Sequence, residues 1–181
     1  FFKQKTAYEM DSADRKDHEK YMDKAIVQAR RAYANGDVPI GCVIVHEGKI
    51  IARGFNKRNL KKTTLAHAEI LAIEQASKKL GDWRLEECTM YVTLEPCQMC
   101  AGAIVLARVP TVVWGVSDPK RGGGTAFGIF DHPGINHHPA VVRRVLEAEC
   151  RDVLVSFFRR RRAGCGIIPP SQTKEPEEYG G

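Results

Sequence analysis

No stretch of these 181 residues is apolar for long enough to cross a bilayer, which excludes a membrane-spanning helix within them. Phe1 to Met10 lack the basic start, apolar middle and small-residue cleavage site of a secretory signal. Those ten residues are expected to be an extension or a non-native remnant, and residues 1–16 to lie outside the folded domain. There is no internal repeat. The cysteines have no spacing that frames disulfides, since Cys42, Cys88, Cys150 and Cys165 are scattered and Cys97 and Cys100 form a motif of their own. A cytoplasmic protein with reduced thiols and no membrane association is therefore expected.

What is present suits one globular domain with a full core: 43% of residues are hydrophobic and 28% charged. The net charge of +6 gathers near the end, where Arg159, Arg160, Arg161 and Arg162 follow Phe157 and Phe158. Such a run reads either as a solvated helix end that suits the helix dipole or as a surface for phosphates. The spacing of the two phenylalanines says core before it says stacking.

Two short motifs organise the chain: Ala66-His67-Ala68-Glu69 and Glu95-Pro96-Cys97-Gln98-Met99-Cys100. Zinc takes nitrogen and sulfur donors, and a Cys-x-x-Cys opening a helix puts two thiolates on one face, with His67 as third donor. Three protein donors leave the fourth tetrahedral position to water, the pattern of a catalytic site. Pro96 suits the first position of a helix, which would put Cys97 at a helix N-terminus where the thiolate is favoured. Thr63 and Thr64 are candidate N-caps of a helix that begins near His67 and ends at Gly81. His67 and Glu69 stand about 200° apart around a helix, so they share one centre only if it lies over the helix end. Glu69 is then placed to move protons. Alone, the Cys-x-x-Cys also reads as a redox pair or two buried thiols, and the His-x-Glu as chance; together they point to catalytic zinc.

Met22, Ile26, Ala29 and Tyr33 recur at helical spacing between Asp17 and Ala34. Pro39 to Val45 and Lys49 to Gly54 read as a hairpin. The His-x-Glu helix is expected to bury Ile70, Leu71, Ile73, Ala76 and Leu80. Thr89 to Leu94 and Thr111 to Val116 read as strands joined by the cysteine helix, hence parallel, with ligands beyond their carboxyl ends where Cys97 and Asp118 fall. Asp118 to Asn136 is a Gly-, Pro- and His-rich loop in which His132, His137 and His138 read as turn and capping groups. A short strand is expected at Ala140 to Arg144. A closing helix from Leu146 carries Cys150, Val153, Leu154, Phe157 and Phe158 as its stripe. Residues 164–181 are expected to be a disordered tail.

His-x-Glu followed by Pro-Cys-x-x-Cys is the pattern of the zinc nucleobase deaminases. Val38-Pro39-Ile40-Gly41, Gly54-Phe55-Asn56, Leu94 to Ala103, Asp118-Pro119-Lys120, Asn136-His137 and Phe157-Phe158-Arg159 extend the likeness. From about Tyr21 to Arg162 the chain resembles the bacterial tRNA-specific adenosine deaminases of the TadA type. The resemblance implies an α/β fold over residues 17–163, a three-layer α/β/α arrangement of the cytidine deaminase kind with a mixed five-stranded sheet. It also implies a homodimer whose sites borrow surface from the partner. His67, Cys97 and Cys100 would hold one Zn2+ per subunit, with Glu69 as proton shuttle. Asn56 would hydrogen-bond a flipped adenine with the Ala68 backbone beside it, Val38 and Leu94 would line the pocket, and Asp118 and Lys120 would face nucleotides around the wobble base. The chain departs from the family at Leu65, where Thr is usual, and in residues 121–131, which are one residue short of the usual Gly/Ser-rich loop. Arg58 lies in a loop that varies within the family.

The expected reaction is hydrolysis of adenosine to inosine at the wobble position of a tRNA anticodon. Glu69 takes the proton of zinc-activated water, the hydroxide attacks C6, and Glu69 protonates N1 and later, in a second transfer, the departing ammonia. The expected partner is a tRNA anticodon loop, where an unpaired base can be extruded; no DNA is expected. Phe158, Arg159, Arg161 and Arg162 are candidates for RNA-backbone contact. The alternatives are a zinc deaminase of free bases or nucleosides, of guanine or cytosine type, and a non-catalytic zinc-bound partner subunit, against which the intact Glu69 counts.

Overall fold

The structure is a computed structural model that describes residues 5–6 and 11–164. β2 (Gly41–His46) and β3 (Lys49–Phe55) pair antiparallel through Glu47-Gly48, both at positive φ, as a two-residue type I′ hairpin requires. β4 (Cys88–Leu94) runs antiparallel to β2 and parallel to β5 (Thr111–Val116), which runs parallel to β6 (Ala140–Arg143). These are the five strands of the mixed sheet that the resemblance implies. A sixth, the two-residue β1 (Lys5–Thr6), joins parallel at the β6 edge, giving the order β1-β6-β5-β4-β2-β3.

The boundary expected after residue 16 needs correction. Helix α1 (Ser12–Ala34) starts five residues before Asp17, because the Asp11 carboxylate accepts from Ala13 N and Asp14 N, both at 2.9 Å, and caps it. Its first turns are polar and carry no apolar period. Lys5 and Thr6 of the expected extension also join the sheet as β1, while residues 1–4 and 7–10 and the expected tail beyond Gly164 lie outside the described residues.

Strand alternation builds two cores, one on each face of the sheet. Cys42, Ile44, Met90, Val92, Val112 and Trp114 face α3 (Ala68–Leu80) and α4 (Gln98–Leu106). Val43, Val45, Tyr91 and Val113 face α1 and α5 (Glu147–Arg162). The face that α3 buries is small rather than bulky: Ala68, Ala72 and Ala76 point inward with Glu69, whereas Ile70, Leu71 and Ile73 are only half-buried and Leu80 is exposed. Of the expected stripe only Ala76 is fully buried. The reason is close approach. A Cβ on Gly54 of β3 would collide with the Ala68 carbonyl oxygen, so α3 lies directly on the strand and leaves no room there for branched side chains. In α5, Cys150 and Phe157 are buried, while Phe158 of the expected stripe is exposed.

Because β3 and β4 both oppose β2, and β5 parallels β4, the carboxyl ends of β3, β4 and β5 share one edge of the sheet. The segment entering β2 reaches the same edge, where Gly41 N donates to Thr93 Oγ1 at 3.2 Å. Among the described residues no helix is long and apolar enough to cross a membrane.

Candidate metal centre and active site

At that edge His67 Nδ1 lies 3.6 Å from Cys97 Sγ and 3.5 Å from Cys100 Sγ. The three donor atoms all lie within 4.8 Å of one another and could hold a metal ion. These separations suit one cation bonded at roughly 2.0–2.3 Å. His67 is the N-cap of α3 and Cys97 the N-cap of α4, both with extended backbone (ψ 150° and 173°) and neither bonding its own helix through its side chain. An N-cap residue in that conformation points its side chain ahead of the helix, so two helix starts can aim at one point. Glu69, on the first turn of α3, then reaches the same centre without the 200° conflict.

The caps expected from the sequence are therefore wrong in two places. Thr63 Oγ1 accepts from Leu65 N at 3.3 Å and leaves α3 uncapped; the Ala68 N–H donates instead to Asn56 Oδ1 at 3.0 Å, from just past the end of β3. Pro96 precedes the N-cap of α4 and does not occupy its first helical position. In both cases the N-cap position is taken by a donor to the shared centre.

Burial governs the electrostatics. Glu69 is 2% exposed and its Oε2 has no hydrogen-bond partner. Burial raises its pKa to about 7, opposed by a hydrogen bond from its own backbone and by the charge of His67. Cys97 is pushed down to about 4, first by a hydrogen bond from Cys100 and further by His67, while Cys100 is raised because it donates that bond and is buried. The bond with Cys97 raises His67 above the ordinary histidine value, with burial and the charge of Arg58 opposing. In the protein's own field one thiol of the pair keeps its proton. A divalent cation at the centre would stabilise both thiolates, so two sulfurs and an imidazole beside a buried carboxyl fit zinc.

The structure places the other expected residues as follows. Asn56 is buried, with Oδ1 committed to Ala68 N, and its own N–H bonds Ile40 O at 3.1 Å. Val38 and Leu94 are half-buried at the same edge. Asp118 lies just past β5, where its Oδ1 accepts from Lys120 N and Arg121 N, both at 3.0 Å; its carboxylate shapes the turn that exposes Lys120. Phe158, Arg159, Arg161 and Arg162 are exposed on the last turns of α5, which run beside the end of α1 through the contact of Phe157 with Tyr33 (centroids 5.4 Å apart). His132, His137 and His138 bond the backbone at Gly134, Val109 and Phe130, as turn and capping groups do.

Sequence reasoning missed two buried acids. Glu95, 3% exposed, accepts from Asp118 N (2.8 Å), Thr125 N (2.6 Å) and Thr125 Oγ1 (2.8 Å). The loop wraps so closely that a Cβ on Gly122 would strike the Glu95 carboxyl, and Gly122 forms a bridge with Cys97. Asp37, 2% exposed, accepts from Asn59 N and Leu60 N. The available signal for Glu95 was a carboxylate at the end of a buried strand, upstream of a glycine-rich run with many spare N–H groups.

Residues 16–162 match the family model of MafB19-like deaminases. Over 145 residues the chain is 52% identical to the tRNA-specific adenosine deaminase of Bacillus subtilis (strain 168), covering 80% of this chain and 90% of that one. Among solved structures it is similar to a tRNA:A34 deaminase described as editing A to I at the wobble position of transfer RNA, with a TM-score of 0.73, 40% identity, and 75% and 99% of the two chains covered. A guanine deaminase from Nitrosomonas europaea shares the fold alone, with a TM-score of 0.67 and 22% identity over 77% of this chain and 83% of that one. The chain belongs to the MafB19-like deaminase family and is of the tRNA-specific adenosine deaminase type.

Proposed function

We propose that this chain hydrolyses adenosine to inosine at the wobble position of a tRNA anticodon, as a cytoplasmic homodimer with one zinc ion per subunit held by His67, Cys97 and Cys100. The observation that carries this reading is the buried, unpartnered Oε2 of Glu69 beside three convergent metal donors. Zinc at these donors supplies Lewis acidity that brings the pKa of a water molecule to about 7. Glu69 accepts the proton of the attacking water and hands it to N1 of adenine as C6 is attacked; it then takes the proton of the new C6 hydroxyl and delivers it to the amino group, so that the C6–N bond breaks, ammonia leaves and the C6 carbonyl forms.

The remaining residues hold the base. With Asn56 Oδ1 bonded to Ala68 N, the amide –NH2 is the end of Asn56 that faces an adenine, with the Ala68 backbone beside it. Val38 and Leu94 wall the pocket. Asp118 fixes the turn that presents Lys120 to the neighbouring nucleotides, and Phe158, Arg159, Arg161 and Arg162 meet the RNA backbone. Leu65 and Leu106, 61% and 73% exposed, offer apolar surface for a second copy to cover.

The test is nucleotide analysis of tRNA after treatment with the zinc-loaded protein, beside parallel incubations with free bases and nucleosides. Inosine at the wobble position, without ammonia from the free compounds, is the expected result. Ammonia from free guanine or cytosine with unmodified tRNA would overturn it in favour of a free-base deaminase.

A further inference from the structure

Helix α2 (Arg58–Lys61) buries no side chain, so apolar packing does not hold it, and four residues do not make a helix that is stable by itself. Polar bonds fix its position. Asp37, buried in the segment between α1 and β2, accepts from Asn59 N at 2.9 Å and Leu60 N at 3.4 Å, and Asn59 Nδ2 donates back to Gly36 O at 3.4 Å. Lys57, the N-cap, makes no side-chain cap of its own, so Asp37 caps α2 from across the chain. On its other side Lys57 N donates to Ala66 O at 2.9 Å, next to His67. The helix is thus strung between the Val38 segment and the metal-ligand segment, directly after Asn56.

This tethered element is strongly cationic. Lys57, Arg58, Lys61 and Lys62 follow one another around it, and Arg31 of α1 joins them. The Lys57 ammonium and the Arg31 guanidinium lie 4.5 Å and 4.9 Å from the centroid of the Phe55 ring. Lys57 is held below the usual lysine range, first by burial and then by the charges of Lys61 and Arg31, so these cations crowd one another. None of the ion pairs among the described residues involves Arg31, Lys57, Arg58 or Lys61. Glu74, whose carboxylate feels Lys61, is already bonded to Lys78 at 2.7 Å. Clustered cations without acidic partners at the edge of a site are matched by a polyanion.

We propose that Asp37 is a positioning residue: it holds α2 in place so that Lys57, Arg58 and Lys61 meet the phosphate backbone of the RNA whose base enters the site. The inference rests on the tRNA reading above and adds to it the surface that grips the strand on the Asn56 side. Asp37 touches neither substrate nor metal.

The test compares wild type, Asp37→Ala, Asp37→Asn, Arg58→Ala/Lys61→Ala and the Asp37→Ala/Arg58→Ala/Lys61→Ala triple variant, each as the full zinc-loaded chain acting on an anticodon stem-loop RNA. Zinc content, KM, kcat and the salt dependence of binding are measured. For Asp37→Ala the expected result is a KM raised about tenfold with kcat much less affected, since the deleted bonds orient a binding element only. The slope of log affinity against log salt should fall by roughly one to two, about 0.7–0.9 for each phosphate that is no longer neutralised. Asp37→Asn, which keeps one acceptor oxygen and the side-chain volume, should fall between. In the Asp37→Ala background the two further replacements should add little, because the cations are already misplaced. A wild-type KM and salt slope in Asp37→Ala, or effects that simply multiply in the triple variant, would overturn the proposal. If Asp37→Ala does not fold, a wild-type slope in Asp37→Asn overturns it equally. A wild-type protein that binds the stem-loop without making inosine defeats the deaminase reading alone, and the slopes still decide the role of Asp37.

Discussion

Glu95 and Glu69 are almost equally buried, 3% and 2% exposed, yet Glu95 receives three hydrogen bonds while Glu69 keeps Oε2 without a partner. Their settings explain the contrast. Glu95 directly follows β4 and faces a loop that turns Asp118 N, Thr125 N and the Thr125 hydroxyl toward it, so its oxygens become the loop's hub. Glu69 sits on the first turn of α3 against His67 and Cys100, a region that supplies metal donors and few hydrogen bonds to spare. A buried acceptor left unpaired costs on the order of 1–3 kcal/mol, which persists in a fold where chemistry uses the group. Satisfaction therefore sorts the two acids: Glu95 is bonded as a structural latch, and Glu69 keeps the free oxygen that the proton-carrying role proposed for it requires.

Replacing Glu69 by Gln attacks the contrast where the effect is largest. Turnover is expected to fall about a hundred- to ten-thousand-fold, the usual contribution of a general acid–base. Zinc content should stay at one per subunit and Tm should stay close to or above that of the wild type, because Oε2, the oxygen without a partner, has no hydrogen bond to lose. Wild-type inosine formation by this variant would remove Glu69 from the chemistry. Glu95→Gln comes next. An amide nitrogen set against the N–H donors of Asp118 and Thr125 should cost about 2–4 kcal/mol, read as a Tm lower by roughly 5–15 °C. Turnover should fall less than for Glu69→Gln, through loosening of the loop that bridges Cys97 at Gly122. An unchanged Tm with a Glu69-sized loss of turnover would mean that Glu95, too, does chemistry and that hydrogen-bond satisfaction does not separate the pair.

The same contrast marks what could be read in the sequence. That His67, Cys97 and Cys100 meet, with Glu69 beside them, was legible because metal chemistry dictates residue types and short spacings, and the five main strands because apolar alternation is local. The caps were not. Asn56 satisfies Ala68 N from twelve residues upstream, and a metal donor rather than Thr64 takes the N-cap of α3. The inward face of α3 was misread because proximity to Gly54 selects alanine there over the bulkier Ile70 and Leu71. Asp37 and Glu95 escaped for a related reason. Each bonds a segment more than twenty residues away, and nothing in its neighbours along the chain names the partner. Residues whose role follows from chemistry were visible, and residues whose role follows from a distant backbone were not.

Thr125→Val makes the finest cut. Valine keeps the shape of threonine and the bond from Thr125 N to Glu95 Oε1, and deletes only the hydroxyl that donates to Oε2 at 2.8 Å. Glu95 is left with Asp118 N on Oε2 and moves one step toward the condition of Glu69. The expected loss is about 1–2 kcal/mol, a Tm shift of roughly 2–8 °C, with turnover close to that of the wild type. A drop as deep as that of Glu95→Gln would make the hydroxyl the whole latch and the backbone bonds incidental. No drop at all would mean that water replaces the hydroxyl without loss, and the number of bonds on Glu95 would then overstate how firmly the loop is held. Only an intermediate value keeps the three bonds as separate contributors, which is what distinguishes a hub from a single contact.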